Sequence, residues 1–122
     1  MLKLHTLTYH PQIRNSLTLI IHNAWCLDFN LAISSFEDSI WASRNLIDLG
    51  LDSIQKQNLQ FLFTSSIGSA QGWDNLNGPF PEEVQLDPAV AVGAGYGEGK
   101  YATERASCAA ITDKTIGTDT DP

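Results

Sequence analysis

Apolar residues fall in three stretches along the chain, and their spacing changes from one to the next. Leu17 to Ala24 reads Leu-Thr-Leu-Ile-Ile-His-Asn-Ala, a short β-branched run of the type buried in parallel sheets, and predicts a strand. After a link over 25–32, Phe36, Ile40, Ile47, Leu51 and Ile54 recur at steps of three, four or seven residues, which is one face of a helix. Ser34 and Glu37 have the spacing of a capping box, so a helix is expected over Ser35 to Ser53. Leu59 to Ser65, Leu-Gln-Phe-Leu-Phe-Thr-Ser, predicts a second strand. Strand, helix and strand in that order imply a right-handed parallel crossover, a βαβ unit.

From Ile67 to Val92 the pattern breaks down into Gly, Pro, Asn and Ser, with Gly78-Pro79 and Asp87-Pro88 as turn signals. This reads as a long irregular loop, a length usually reserved for functional or disordered segments. Gly95 to Ala110 is helix-compatible again, with Tyr96, Lys100, Thr103 and Ser107 on neighbouring faces. Gly93, Gly95, Gly97 and Gly99 alternate but match neither the dinucleotide nor the P-loop spacing and follow no strand, so they are expected to be a flexible loop leading into that helix. The end from Ile111 to Pro122 is polar and rich in Thr and Asp, and is expected to fray.

Composition places the 122 residues in the size range of one domain, with 43% hydrophobic and 17% charged positions as in ordinary globular proteins. A net charge of -7 with scattered basic residues argues against nucleic acid or anionic membrane as partners. The apolar runs are too short to cross a bilayer, and the first residues, with Lys3, His5, Tyr9, His10 and Pro11, form no secretion signal, so a cytoplasmic protein is expected. Cys26 and Cys108 are far apart and read as reduced thiols. His5 and His10 have no carboxylate or cysteine at ligand spacing, so they read as surface histidines and no metal is expected.

Candidate chemistry sits at the strand ends and in the last helix. Tyr96 and Lys100 are four residues apart, which puts both on one helical face. An ammonium beside a phenol stabilises the phenolate and equips it to relay protons near neutral pH. Taken alone, that spacing also arises by coincidence. Thr64-Ser65-Ser66 ends the second strand at the edge where ligands bind in open parallel sheets, and a hydroxyl there can polarise a carbonyl or simply cap the next turn. His22-Asn23-Ala24-Trp25 leaves the first strand at the same edge, where the small Ala24 admits a flat cofactor or marks an ordinary strand exit.

Six segments taken in order resemble one family: Ile-Ile-His-Asn-Ala-Trp (20–25), Asp-Phe-Asn-Leu (28–31), Ser-Ser-Phe-Glu (34–37), Arg-Asn-Leu-Ile-Asp-Leu (44–49), Phe-Leu-Phe-Thr-Ser-Ser-Ile (61–67) and Gly-Tyr-Gly-Glu-Gly-Lys-Tyr (95–101). The chain is similar to the terminal thioester reductase domain of fungal nonribosomal peptide synthetase-like and carboxylic acid or aminoadipate reductases, which are extended short-chain dehydrogenases. The resemblance implies an α/β fold, a partial Rossmann-like doubly wound parallel sheet made of a central βαβ and a following helix, with the first βαβ half and its glycine-rich cofactor cradle missing. It divides the chain into an unmatched segment over 1–16, a partial NAD(P)-binding reductase domain over 17–106, and a polar, disordered tail over 107–122.

The same resemblance makes Ser66 the hydroxyl that hydrogen-bonds the substrate carbonyl, Tyr96 the proton donor, and Lys100 the residue that tunes Tyr96 and holds the nicotinamide ribose. Asn23, Ala24, Trp25 and Thr64 would line the cofactor beside Tyr96 and Lys100. It implies NADP as cofactor and a carrier-bound acyl thioester as partner. Gly99 stands where the family usually has Ser, and Trp41-Ala42 where a basic residue and Gly are usual. A segment with only two strands and no pyrophosphate cradle is expected to be marginally stable, aggregation-prone and inactive alone. Two other readings are a noncatalytic interaction protein and a remnant of another extended dehydrogenase such as a nucleotide-sugar epimerase, which fits His-Asn-Ala-Trp and Asp-Phe-Asn less well.

Overall fold

A computed structural model describes residues 11–116, with side chains for 11–110. His5 and His10 lie outside these residues. A short helix α1 (Pro11–Ser16) precedes strand β1 (Leu19–His22), helix α2 (Glu37–Asp52), strand β2 (Gln60–Phe63) and helix α3 (Gly95–Ile116). The strands pair in parallel, with Leu19 opposite Gln60 and His22 opposite Phe63. The fold is thus α/β, a βαβ unit with a following helix, consistent with part of a Rossmann-like sheet.

Both strands are shorter than the apolar runs that predict them, because each has a single neighbour among the described residues and pairing stops where that neighbour ends. Ile20 and His22 point inward and are buried, while Leu19, Ile21 and Leu62 on the opposite face are about half exposed. The runs have the composition of strands buried on both faces, and only one face is covered here.

The capping box at Ser34 and Glu37 does not form. A 3-10 turn over Ile33–Phe36 comes first, Phe36 is the N-cap of α2, and neither turn nor helix has a side-chain cap. Of the predicted helical face, Phe36 and Ile47 are buried, Ile40 and Leu51 partly so, and Ile54 lies beyond the helix and is exposed. Helix α1 was not foreseen; Arg14 holds it to the end of α2 by donating to the Asp52 carbonyl (3.1 Å) and pairing with its carboxylate (3.0 Å).

The long loop after β2 is irregular, as expected, but it is pinned. It contains 3-10 turns over Ile67–Ala70, Asn75–Asn77 and Pro88–Ala91, with Ser66, Asp74 and Asp87 as their side-chain caps. The Gln71 amide closes it, donating to the carbonyls of Ala91 (2.7 Å) and Ala94 (2.8 Å) and accepting from the Ala94 N-H (3.0 Å). Val90, Ala91 and Tyr101 form a small core against Trp73, and the Tyr101 hydroxyl donates to the Gln85 carbonyl.

Helix α3 departs from expectation at both ends. It begins at Gly95, so Gly95, Gly97 and Gly99 are helical and buried rather than part of a flexible loop. They are places of close approach: a Cβ on Gly95 would lie 2.3 Å from the Ile33 nitrogen, and one on Gly97 only 2.1 Å from the Gly68 carbonyl oxygen. The helix also runs to Ile116, well into the segment 107–122 read as a disordered tail, and residues 117–122 lie outside those described. Ala109 and Ala110 are strong helix formers, and no Gly or Pro interrupts the run from Tyr101 to Ile116, so the backbone there has no reason to stop.

Candidate functional site

The contact between Gly68 and Gly97 builds the site. With no side chain on either residue, the turn after β2 and the first turns of α3 meet backbone to backbone, and Gly68 also borders Ser66 Oγ and the Tyr96 ring. Ser66, Tyr96 and Lys100 are thereby gathered at the carboxyl ends of the two strands, the edge where open parallel sheets bind ligands. Ser66 Oγ accepts the Gly68 N-H (3.1 Å), which leaves its own O-H to donate.

Lys100 is 3% exposed, and its ammonium donates to the Thr64 carbonyl at 2.7 Å. It lies 4.6 Å from the ring centroid of Trp25, 4.8 Å from that of Phe63 and 5.7 Å from that of Tyr96, so aromatic faces supply much of the solvation it has lost. Burial pushes the Lys100 amine below its ordinary value, and the Glu104 carboxylate one turn on partly offsets this. Tyr96 is buried, edge-on to Phe29 (4.8 Å) and Phe36 (6.0 Å). Asn23 and Ala24 are exposed at the same edge, and neither has a hydrogen bond or ring contact with this group. Cys26 is exposed, and neither it nor Cys108 is in a disulfide.

Below the aromatic cage, His22 is 3% exposed and its Nε2 lies 2.7 Å from Ser43 Oγ. The Ser43 hydroxyl already donates to the Ser39 carbonyl (2.8 Å), so it accepts from His22, which assigns the proton to Nε2. Burial, and after it the Lys100 ammonium, hold the imidazole below its ordinary value. The unfolded chain therefore binds more protons than the folded one as pH falls below the ordinary imidazole value of 6.5. The His22 contribution to stability is complete above that value and is lost on acidification. Thermal melts between about pH 7.5 and about pH 5 are expected to show Tm falling, with a shallower fall in His22→Gln; equal slopes in the two proteins would refute this.

The residues fit a nicotinamide cofactor in part. Lys100 keeps two N-H groups beyond its bond to Thr64 and Ser66 keeps its O-H, while the Trp25 indole N-H nearby is buried without a partner, so donors for a ribose and a carbonyl are present. For a pyrophosphate they do not fit: the link from β1 to α2 contains no glycine, and no described strand leads through a glycine-rich turn into a helix. Among the described residues no group of three or more His, Cys, Asp or Glu is placed to hold a metal, and no helix is long and apolar enough to cross a membrane.

Sequence reasoning passed over Glu104 and Gln71, and gave Ser65 and Phe29 no role beyond their places in the quoted motifs. The Ser65 hydroxyl donates to the Glu104 carboxylate. Phe29 walls Tyr96, and Gln71 ties the loop down beside Gly97. Glu104 left a legible trace, since it stands four residues beyond Lys100 as Lys100 stands beyond Tyr96.

No family model matches the chain. Among individual proteins it is 55% identical over 96 residues to the adenylate-forming reductase Nps9 of Serpula lacrymans, covering 79% of this chain and 9% of that protein. It is 34% identical over 91 residues to the carboxylic acid reductase of Neurospora crassa, covering 75% of this chain and 8% of that protein. It is 38% identical over 96 residues to the non-reducing polyketide synthase dbaI of Emericella nidulans, covering 75% of this chain and 4% of that protein. The chain therefore spans less than a tenth of the length of each.

Proposed function

The chain belongs, as a short piece, to the family of adenylate-forming reductases and carboxylic acid reductases, and on that premise we propose that it supplies the carbonyl-activating end of an NADPH-dependent thioester reductase domain. The observation that carries this reading is the gathering of Ser66, Tyr96 and Lys100 around the Gly68 and Gly97 contact at the carboxyl edge of the sheet. Ser66 donates its free O-H to the substrate carbonyl. Tyr96 delivers the proton to the carbonyl oxygen as charge develops there. Lys100, oriented by Thr64, presents its two remaining N-H groups to the nicotinamide ribose, with Asn23, Ala24 and Trp25 along the cofactor. NADPH, when bound, supplies the hydride. The substrate is an acyl thioester on a carrier protein, a reading supported by the synthase and reductase relatives.

The chain by itself has no working activity in this reading, and NADPH binding in the micromolar range by calorimetry would contradict that. The support is the absence of a glycine-rich strand-to-helix turn among the described residues and the bare apolar face at Leu19, Ile21 and Leu62. Grafting the matched segment into the Serpula reductase tests the function. Reduction, followed as NADPH consumption, is expected to survive with the native segment and to fall by about 100-fold or more with Tyr96→Phe. A folded graft that does not reduce, or a Tyr96→Phe graft as active as its parent, overturns the reading.

A further inference from the structure

We propose that Glu104 is a positioning residue for this site, the second of two consecutive helical latches by which α3 holds the end of β2 in register. The inference rests on the function proposed above for Ser66, Tyr96 and Lys100. Lys100 grips the backbone at Thr64 by donating to its carbonyl (2.7 Å), and one turn further along α3 Glu104 accepts the hydroxyl of Ser65. Two adjacent residues of the strand end are thus tied to two positions a helical turn apart, which fixes both the height and the rotation of the segment that presents Ser66. The latch at Ser65 acts together with the Thr64 N-H bond to the His22 carbonyl (3.1 Å) and the Gly68 and Gly97 contact on either side of it.

The latch also carries charge. Lys100 forms no direct ion pair, since the ion pairs among the described residues are Arg14 with Asp52 and Arg44 with Asp48. Glu104 therefore acts on the buried ammonium through space, and its bond to Ser65 keeps its carboxylate at a set distance. The titratable groups around Lys100 are His22 from β1 and Tyr96 and Glu104 from α3. The Lys100 ammonium disfavours the charged form of His22, and of these titratable groups Glu104 is the one that supports the ammonium, alongside the Thr64 carbonyl and the aromatic faces.

The test follows the Lys100 side chain by carbon-detected NMR titration in the 122-residue chain, with Glu104→Gln, Glu104→Asp and Ser65→Ala. Glu104→Gln keeps an acceptor for Ser65 but removes the charge, and is expected to move the Lys100 midpoint to lower pH. Glu104→Asp restores the charge one methylene away and is expected to fall between the Gln variant and the native chain. Ser65→Ala removes only the latch and is expected to shift the midpoint in the same direction by less. A midpoint unmoved in Glu104→Gln, or identical in the Gln and Asp variants, overturns the proposal. If Glu104→Gln does not fold, the Ser65→Ala chain decides, and an unmoved midpoint there overturns it. None of these readouts requires turnover, so a failed graft would sink the function above and leave the latch standing.

Discussion

Gly97→Ala is expected to destabilise the chain by about 3 kcal/mol, the upper end of what overpacking costs. The added methyl would lie 2.1 Å from the Gly68 carbonyl oxygen, 2.6 Å from its carbon and 2.7 Å from the Gln71 amide nitrogen. The first two are backbone atoms that cannot rotate away, so the turn after β2 and the start of α3 must separate. The third belongs to the side chain that ties the loop shut at Ala91 and Ala94. Separation also pulls Ser66 away from Tyr96, and any carbonyl reduction supported by the segment should disappear with it. Gly99→Ala is the control. Its methyl would meet the Trp25 side chain at 3.2 Å, a contact that yields by a small shift, and helix propensity favours Ala over Gly, so stability should change by no more than about 1 kcal/mol. Urea denaturation of the two variants separates these outcomes: equal midpoints would mean that the Gly68 and Gly97 contact is not tight.

Phe36→Ala is expected to cost about 3 to 5 kcal/mol, as is usual for removing a fully enclosed phenylalanine. Phe36 is 0% exposed and stands at the junction of the 3-10 turn and α2. Its ring is stacked on Trp25 (6.4 Å) and lies edge-on to Tyr96 (6.0 Å), and a Cβ on Gly99 would meet its own at 3.6 Å. It therefore supports two of the three aromatics around Lys100. In the 122-residue chain the expected readouts are a lower urea midpoint and altered Trp25 fluorescence, because the indole loses its stacking partner. Phe36→Leu keeps most of the volume and should recover much of the stability while leaving the fluorescence changed. A Phe36→Ala chain as stable as the native one would show that Phe36 does not hold the cage.

Particular elements show how far the residues could be read. The two strands were legible as apolar runs, one β-branched and one aromatic, and their parallel pairing followed from the helix between them, but their lengths were not, because pairing depends on a neighbour elsewhere in the chain. The start of α2 was misjudged at Ser34 and Glu37: the spacing suits a capping box, yet the chain enters through a 3-10 turn whose Phe36 is drawn into the core, and burial of that ring outweighs a surface cap. In the candidate site, strand-end position and helical spacing pointed to Thr64-Ser65-Ser66 and to Tyr96 with Lys100, the resemblance selected Ser66, Tyr96 and Lys100 from them, and these three lie at one edge of the sheet. Glu104 was passed over although the same spacing argument reaches it.

Local spacing and residue type thus determined, by themselves, the order of elements, the βαβ unit and the irregular loop, since each depends on residues within a turn or two of one another, whereas the choice of Ser66, Tyr96 and Lys100 rested on the family resemblance. Only the tertiary structure decided why alternating glycines lead into α3, which polar groups orient Lys100, and why the His22 imidazole is held below its ordinary value. Those depend on which backbone or charge approaches from a distant part of the chain: Gly68 against Gly97, Thr64 against Lys100, and Lys100 against His22. Contacts between residues 29 to 78 positions apart in sequence leave no periodicity to read, because the energy that selects them is steric and electrostatic and arises once the chain has closed on itself.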